Sequence, residues 1–137
     1  MAKPRASDAH IRVAAVVDAV RGNLHKPWTV AEMAAVVGVS DGQLRRLFAV
    51  AHRRSPQQFL IDLRLEIAST LLADPALRIK EIQAHVGIAD SSHFCRDFRA
   101  RYGVSPTEYR AARLAARAQG LTTPAVPSSF PPKRLRA

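Results

Sequence analysis

One short pattern occurs twice in this chain, and the repetition limits what it can fold into. The first copy reads VAEMAAVVGVS at 30–40, LRRLF at 44–48 and a Ser-Pro pair at 55–56; the second reads IKEIQAHVGIAD at 79–90, FCRDF at 94–98 and a Ser-Pro pair at 105–106. In each copy, apolar residues recur at helical spacing and stop at a glycine, Gly38 or Gly87, which is the usual chemistry of a helix end. A short turn follows, then a second helix-period segment that carries arginines.

Two helices across a tight turn form a helix-turn-helix, and a doubled one suggests two reading heads for double-stranded DNA. The composition agrees with helices. The chain has 137 residues, 47% of them hydrophobic and 6% aromatic, and no run alternates as a strand would. Such a length suits one compact domain or two small subdomains sharing a helix. Lysine and arginine number 21 against 11 acidic residues, for a formal net charge of +10; that balance favours a polyanionic partner. The single cysteine, Cys95, excludes an intrachain disulfide. No stretch approaches the roughly 18 apolar residues of a membrane span, and no apolar core of a signal peptide follows the first residues. These features predict a cytoplasmic protein with no membrane partner.

The start and stop signals predict an all-α fold of about seven helices, with two helix-turn-helix subdomains joined by a long linker helix. Ser7 or Asp8 is expected to cap the first helix, whose apolar face carries Val13, Val16, Val17, Val20 and Leu24. Thr29 with Glu32 and Ser40 with Gln43 each form a capping box. Ser55, Pro56 and Gln58 open a long helix with a stripe of Leu60, Leu63, Ile67 and Leu71, widened by Phe59 and Leu72 and stopped at Asp74-Pro75. Asp90 or Ala89 begins the helix after the second turn, and Ser105 with Glu108 caps the last. The expected segments are an N-terminal helix of the first subdomain at 1–27, a first helix-turn-helix at 28–54, a linker helix at 55–74, a second helix-turn-helix at 75–104, a C-terminal helix at 105–119 and a disordered, proline-rich basic tail at 120–137.

The motifs WTVAEMA at 28–34, GVS at 38–40, LRRLF at 44–48, SPQQFL at 55–60, RLEIA at 64–68, Leu71-Leu72, SHF at 92–94, RDFR at 96–99 and YGVSP at 102–106 together resemble the DNA-binding domain of AraC/XylS-type transcription regulators. The resemblance runs from Arg12 to Arg113. It implies seven helices in two subdomains, and a monomer-capable protein that places two recognition helices in successive major-groove segments about 34 Å apart. With the linker helix as a rigid spacer, that distance is met by bending the DNA at a cost of a few kcal/mol. Most relatives carry a sensing and dimerisation domain ahead of this one. Only a short stretch precedes Trp28 here, which leaves a stand-alone regulator and the end of a longer protein as alternatives.

In the first head, the expected solvent side carries Asp41, Gly42, Gln43, Arg45 and Arg46, with Leu44, Leu47 and Phe48 in the core. Arginine pairs bidentately with guanine, glutamine with adenine. Gln43, Arg45 and Arg46 are the expected base contacts; glycine at 42, a base-facing position by resemblance, leaves the reading to its neighbours. In the second head, the resemblance makes Ser91, Ser92, Cys95 and Arg96 the base-facing positions. Serine bonds to any base edge, so weak specificity is expected at Ser91. Phosphate contacts are expected from the amides of Val30 and Ile79 at helix starts and from Arg53, Arg54, Arg78, Lys80, Arg99 and Arg101. With roughly six to ten phosphates neutralised, affinity should fall about a thousandfold or more between 50 and 200 mM salt.

Three positions depart from the family pattern. Gln83 stands where relatives nearly always have alanine, and must turn outward or find partners. Ile88 replaces a phenylalanine, and Arg53 replaces a glycine, with strain if the backbone there needs a positive φ. His93 is expected to pack or touch phosphate. Neither metal-ligand spacing nor a phosphate loop or nucleophile elbow occurs, so no cofactor, metal or enzymatic activity is expected. Two competing readings stand beside this one. One is a degenerate module acting through a protein partner, RNA polymerase or a full-length relative, motivated by the residues at 42, 83 and 91. The other is an alkyl acceptor through Cys95, against the plainer reading of a small groove-facing residue.

Overall fold

The computed structural model describes residues 5–120. Seven helices follow one another: α1 (Ala6–Gly22), α2 (Val30–Val37), α3 (Asp41–His52), α4 (Pro56–Leu71), α5 (Ile79–Val86), α6 (Ser91–Tyr102) and α7 (Pro106–Ala118). No strand occurs among the described residues. Of the tail expected at 120–137, every residue after Gly120 lies outside them. The described residues divide into two compact units between Leu63 and Arg64, inside α4.

In the first unit, α1 packs on α2 and α3. Val13, Val16 and Val20 of α1 meet a core completed by Val30, Met33, Ala34, Leu44, Leu47, Phe48, Leu60 and Leu63, all buried. Burying a side chain of the Val–Phe class stabilises by about 1.5–3 kcal/mol, which is what holds helices of eight and twelve residues, too short to persist alone in water. The first helix begins one residue earlier than Ser7. Arg5 is its N-cap, without a side-chain cap bond, and Asp8 falls in the first turn, where it favours the positive end of the helix dipole. Helix α3 runs to His52, and its C-cap is Arg53.

In the second unit the core is Leu65, Ala68, Leu72, Ile82, Val86, Phe94, Phe98, Tyr102 and Tyr109. Phe98 lies 5.3 Å from Tyr109, edge to face, and 4.6 Å from Tyr102, so aromatic packing joins α6 to α7. The stripe expected along α4 is partly corrected: Leu65 and Ala68 are buried, whereas Ile67, Leu71 and Phe59 are only half-buried. The reason is that α4 serves two cores, with Leu60 and Leu63 in the first and Leu65, Ala68 and Leu72 in the second. Helix α4 ends at Leu71, before Asp74-Pro75. Arg110 of α7 closes that end: its Nε donates to the Leu72 carbonyl at 3.1 Å, and its Nη2 to the carbonyls of Asp74 and Leu77 at 3.1 and 2.6 Å. These acceptors lie in the segment that follows α4, so Arg110 ties that loop to α7.

Candidate nucleic-acid interface

Helix α2 stops where Gly38 turns left-handed, at φ 68°. Val39 alone separates it from Ser40, whose Oγ accepts from the Gln43 amide at 3.1 Å while Gln43 Oε1 accepts from the Ser40 amide at 3.1 Å. This closed box starts α3. One side of α3 buries Leu44, Leu47 and Phe48; Asp41, Gly42, Arg45 and Arg46 are exposed. Neither Arg45 nor Arg46 has an ion-pair partner among the described residues, so both charges are presented outward. A Cβ at Gly42 would meet nothing within 4 Å; the surface beside the arginines is open there. The side-chain carbonyl of Gln43 is committed to the expected cap and also accepts from Ser40 Oγ at 3.3 Å.

The second head repeats the plan with a longer turn. Gly87 turns left-handed at φ 82°, then Ile88 and Ala89 precede the cap, Asp90. Its Oδ1 accepts from the amides of Ser92 and His93 at 2.8 and 3.1 Å. The His93 amide above all, with that of Ser92 and the nearby charges of His93 and Arg96, holds the Asp90 carboxyl below its ordinary range. Helix α6 buries Phe94, Phe98 and Tyr102 and exposes Ser91, Ser92, His93, Cys95 and Arg96. Gln83 does not turn outward. It is buried in α5, its Nε2 donates to the Ile88 carbonyl at 3.2 Å, and its Oε1 accepts from Ser91 Oγ at 3.0 Å. Sequence reasoning treated Gln83 as a departure to be accommodated and missed this link. The signal was present as a long amide in an apolar helical stripe, eight positions before a serine at the next helix start.

The basic residues at the flanks fall into two groups. Arg53, Arg78 and Lys80 are exposed, and Arg99 is exposed with a loose ion pair to Glu108 at 3.7 Å. Arg54 and Arg101 are turned to the protein. Arg54 Nη1 stands 2.9 Å from Oδ2 of the buried Asp62, and Arg101 Nε donates to Tyr102 Oη at 3.3 Å with its guanidinium 5.5 Å from that ring. Val30 and Ile79 are the first residues of α2 and α5, and offer backbone amides at the positive ends of two helix dipoles. Arg53 has a positive φ, 57°, where the equivalent cap after α6 is Gly103 at 83°.

No helix among the described residues is long and apolar enough to cross a membrane. Among the described residues no three His, Cys, Asp or Glu side chains gather as metal ligands would.

A helix-turn-helix domain model matches residues 33–112, more than half the chain. The regulator CdhR of Pseudomonas aeruginosa is 33% identical over 113 residues, covering 82% of this chain and 33% of that protein. The regulator YidL of Escherichia coli K12 is 30% identical over 92 residues, 67% of this chain and 31% of its own length. The chain therefore spans about a third of the length of these curated relatives. Two solved structures share the fold. A regulator with an AraC-type DNA-binding domain from Chromobacterium violaceum has a TM-score of 0.71 and 29% identity, covering 82% of this chain and 97% of that one. The DNA-binding domain of AdpA, solved with a target DNA, has a TM-score of 0.73 and 31% identity, covering 80% of this chain and 98% of that one.

Proposed function

The chain belongs to the AraC-type helix-turn-helix family, and from that premise we propose that it is a sequence-specific, double-stranded DNA-binding transcription regulator whose two recognition helices, α3 and α6, read successive major-groove segments. One observation carries the reading. Each unit offers a capped helix that is apolar on the side turned to its core and bears unpaired or loosely engaged arginine on the other: Arg45 and Arg46 on α3, Arg96 on α6. An exposed guanidinium on a helix that fits the major groove can take guanine O6 and N7 together. AdpA's DNA-binding domain, similar in fold and sequence, was solved on DNA, which supports carrying the reading over.

In the first head Arg45 and Arg46 are the proposed readers, with Gln43 reduced to a support because a base contact through its carbonyl would open the cap. In the second, Arg96 leads, with Ser91, Ser92 and Cys95 beside it. Arg53, Arg78, Lys80 and Arg99, with the amides of Val30 and Ile79, form the phosphate set; Arg54 and Arg101 act chiefly within the protein. Such a module binds as a monomer and works where the chromosome is, in the cytoplasm, without catalysis. RNA polymerase is its natural protein partner on a promoter. The reading of a decayed module that relies on a partner for its specificity is not favoured, since Gln83, one of the three positions that motivated it, has partners for both ends of its amide.

Arg46→Ala and Arg96→Ala test the proposal. Fluorescence anisotropy on an enriched duplex and its single-base variants should show each change removing about 1–3 kcal/mol of discrimination at its own box and none at the other. A uniform weakening across all sequences, with discrimination intact, overturns the assignment of these arginines to bases.

A further inference from the structure

Gln83 is only 7% exposed, at the position where the first head has Ala34. Its backbone carbonyl accepts from the Ile88 amide at 3.1 Å, and its side-chain Nε2 donates to the Ile88 carbonyl at 3.2 Å. One residue thus holds both backbone polar groups of Ile88. It does so in the turn that is the longer of the two, with Ile88 and Ala89 between Gly87 and the cap Asp90 where Val39 alone lies between Gly38 and Ser40.

The far end of the same amide reaches Ser91 Oγ at 3.0 Å. Its orientation is decided by chemistry. The Ile88 carbonyl can only accept, so the amide nitrogen must face it and the amide oxygen must face Ser91. An amide oxygen can only accept as well, so the single hydroxyl proton of Ser91 points back to Gln83. Ser91 is nevertheless exposed and is the first residue of α6, at the end of a recognition helix that meets the base edges first. What it turns outward is lone pairs.

We propose that Gln83 makes Ser91 an acceptor-only group, so that the second head favours, at the step Ser91 faces, a base offering an exocyclic amine in the major groove (adenine N6 or cytosine N4) over guanine or thymine, whose groove edges offer acceptors. Gln83 is a positioning residue in this scheme and touches no DNA. A free serine hydroxyl would rotate to donate or accept and read any base edge; the buried amide removes that freedom. The inference rests on the DNA-reading function proposed above.

The test uses the full chain and four proteins: wild type, Gln83→Ala, Ser91→Ala and Ser91→Thr. Each is selected on a library of random duplexes, single-base variants of the enriched duplex are titrated by anisotropy, and circular dichroism reports folding. The wild type should prefer adenine or cytosine at one position of the second box by about fivefold, the scale of one net hydrogen bond. Ser91→Ala, exposed at a helix start, should fold and lose that preference, and Ser91→Thr, which keeps the hydroxyl, should retain it. Gln83→Ala, which frees the proton, should flatten the same position and leave the first box unchanged. A wild type that enriches no boxes overturns the DNA-reading function and this inference with it. Enriched boxes with no amine preference that depends on Ser91, or a preference untouched in folded Gln83→Ala protein, overturn this inference alone. If Gln83→Ala does not fold, the Ser91→Ala and Ser91→Thr pair still decides whether the contact is acceptor-only.

Discussion

Arg53 combines a strained backbone with an exposed charge. It closes α3 at φ 57° and ψ 34°, with its amide donating to the Ala49 carbonyl. A side chain costs about 1–2 kcal/mol in this left-handed region, where glycine is at ease. Gly103 shows the unstrained solution after α6. Arg53→Gly should therefore raise stability by about 0.5–1 kcal/mol, the relief of strain less the greater freedom glycine gives the unfolded chain. The urea midpoint would rise at constant slope, and DNA affinity would fall by one phosphate contact. An unchanged or lower midpoint contradicts the strain. This position was legible in the sequence because an arginine stood where a second copy of the motif has glycine. Gln83 was legible only as an anomaly: nothing in the residue order says that a buried amide meets the Ile88 carbonyl and the Ser91 hydroxyl at once, since both bonds depend on how the turn closes.

At the scale of elements, the caps were the most readable part of the chain. Thr29–Glu32, Ser40–Gln43 and Ser105–Glu108 form the reciprocal boxes their spacing predicts, because the bonds are local and need no tertiary partner. The start of α1 was misread for the complementary reason: with no side-chain cap bond there, packing of Ala9, Val13 and Val16 decides where the helix begins. The cap of α6 carries a pH dependence. The amides of His93 and Ser92 hold the folded Asp90 carboxyl below its unfolded value. The unfolded state then binds more protons, so this stabilisation is complete above the ordinary aspartate range near pH 4 and is lost as pH falls from there through the lower folded value. Asp90→Asn caps the helix without titrating. Melting temperatures taken from about pH 6 to 3 should fall more steeply for wild type than for Asp90→Asn, with the two curves converging at the acid end. Parallel curves would show that the carboxylate contributes no charge-dependent stability. Glu32 and Glu108, also held low by their caps, titrate in both proteins and cancel in the comparison.

For the whole molecule, the number of helices and the twofold plan followed from the repeated pattern, whereas the division of labour along α4 did not. Its apolar residues read as one stripe, but Leu60 and Leu63 serve one unit and Leu65, Ala68 and Leu72 the other; which core a helix face meets is a tertiary fact. The candidate interface was legible in part for the same reason. Arg45, Arg46 and Arg96 stand outward as the helical period required. Arg54 and Arg101, equally basic in sequence, are drawn to Asp62 and Tyr102 by folding. The net charge of +10 favours nonspecific binding to any duplex, so affinity alone cannot establish a regulator; discrimination can. The most direct measurement is selection of the purified chain on random duplexes near 150 mM salt, an ionic strength that screens nonspecific attraction, with enriched sequences titrated by anisotropy against unselected DNA. Two short boxes about one helical turn apart, bound well above random sequence, are the predicted result. Binding that is steeply salt-dependent and indifferent to sequence would contradict the account.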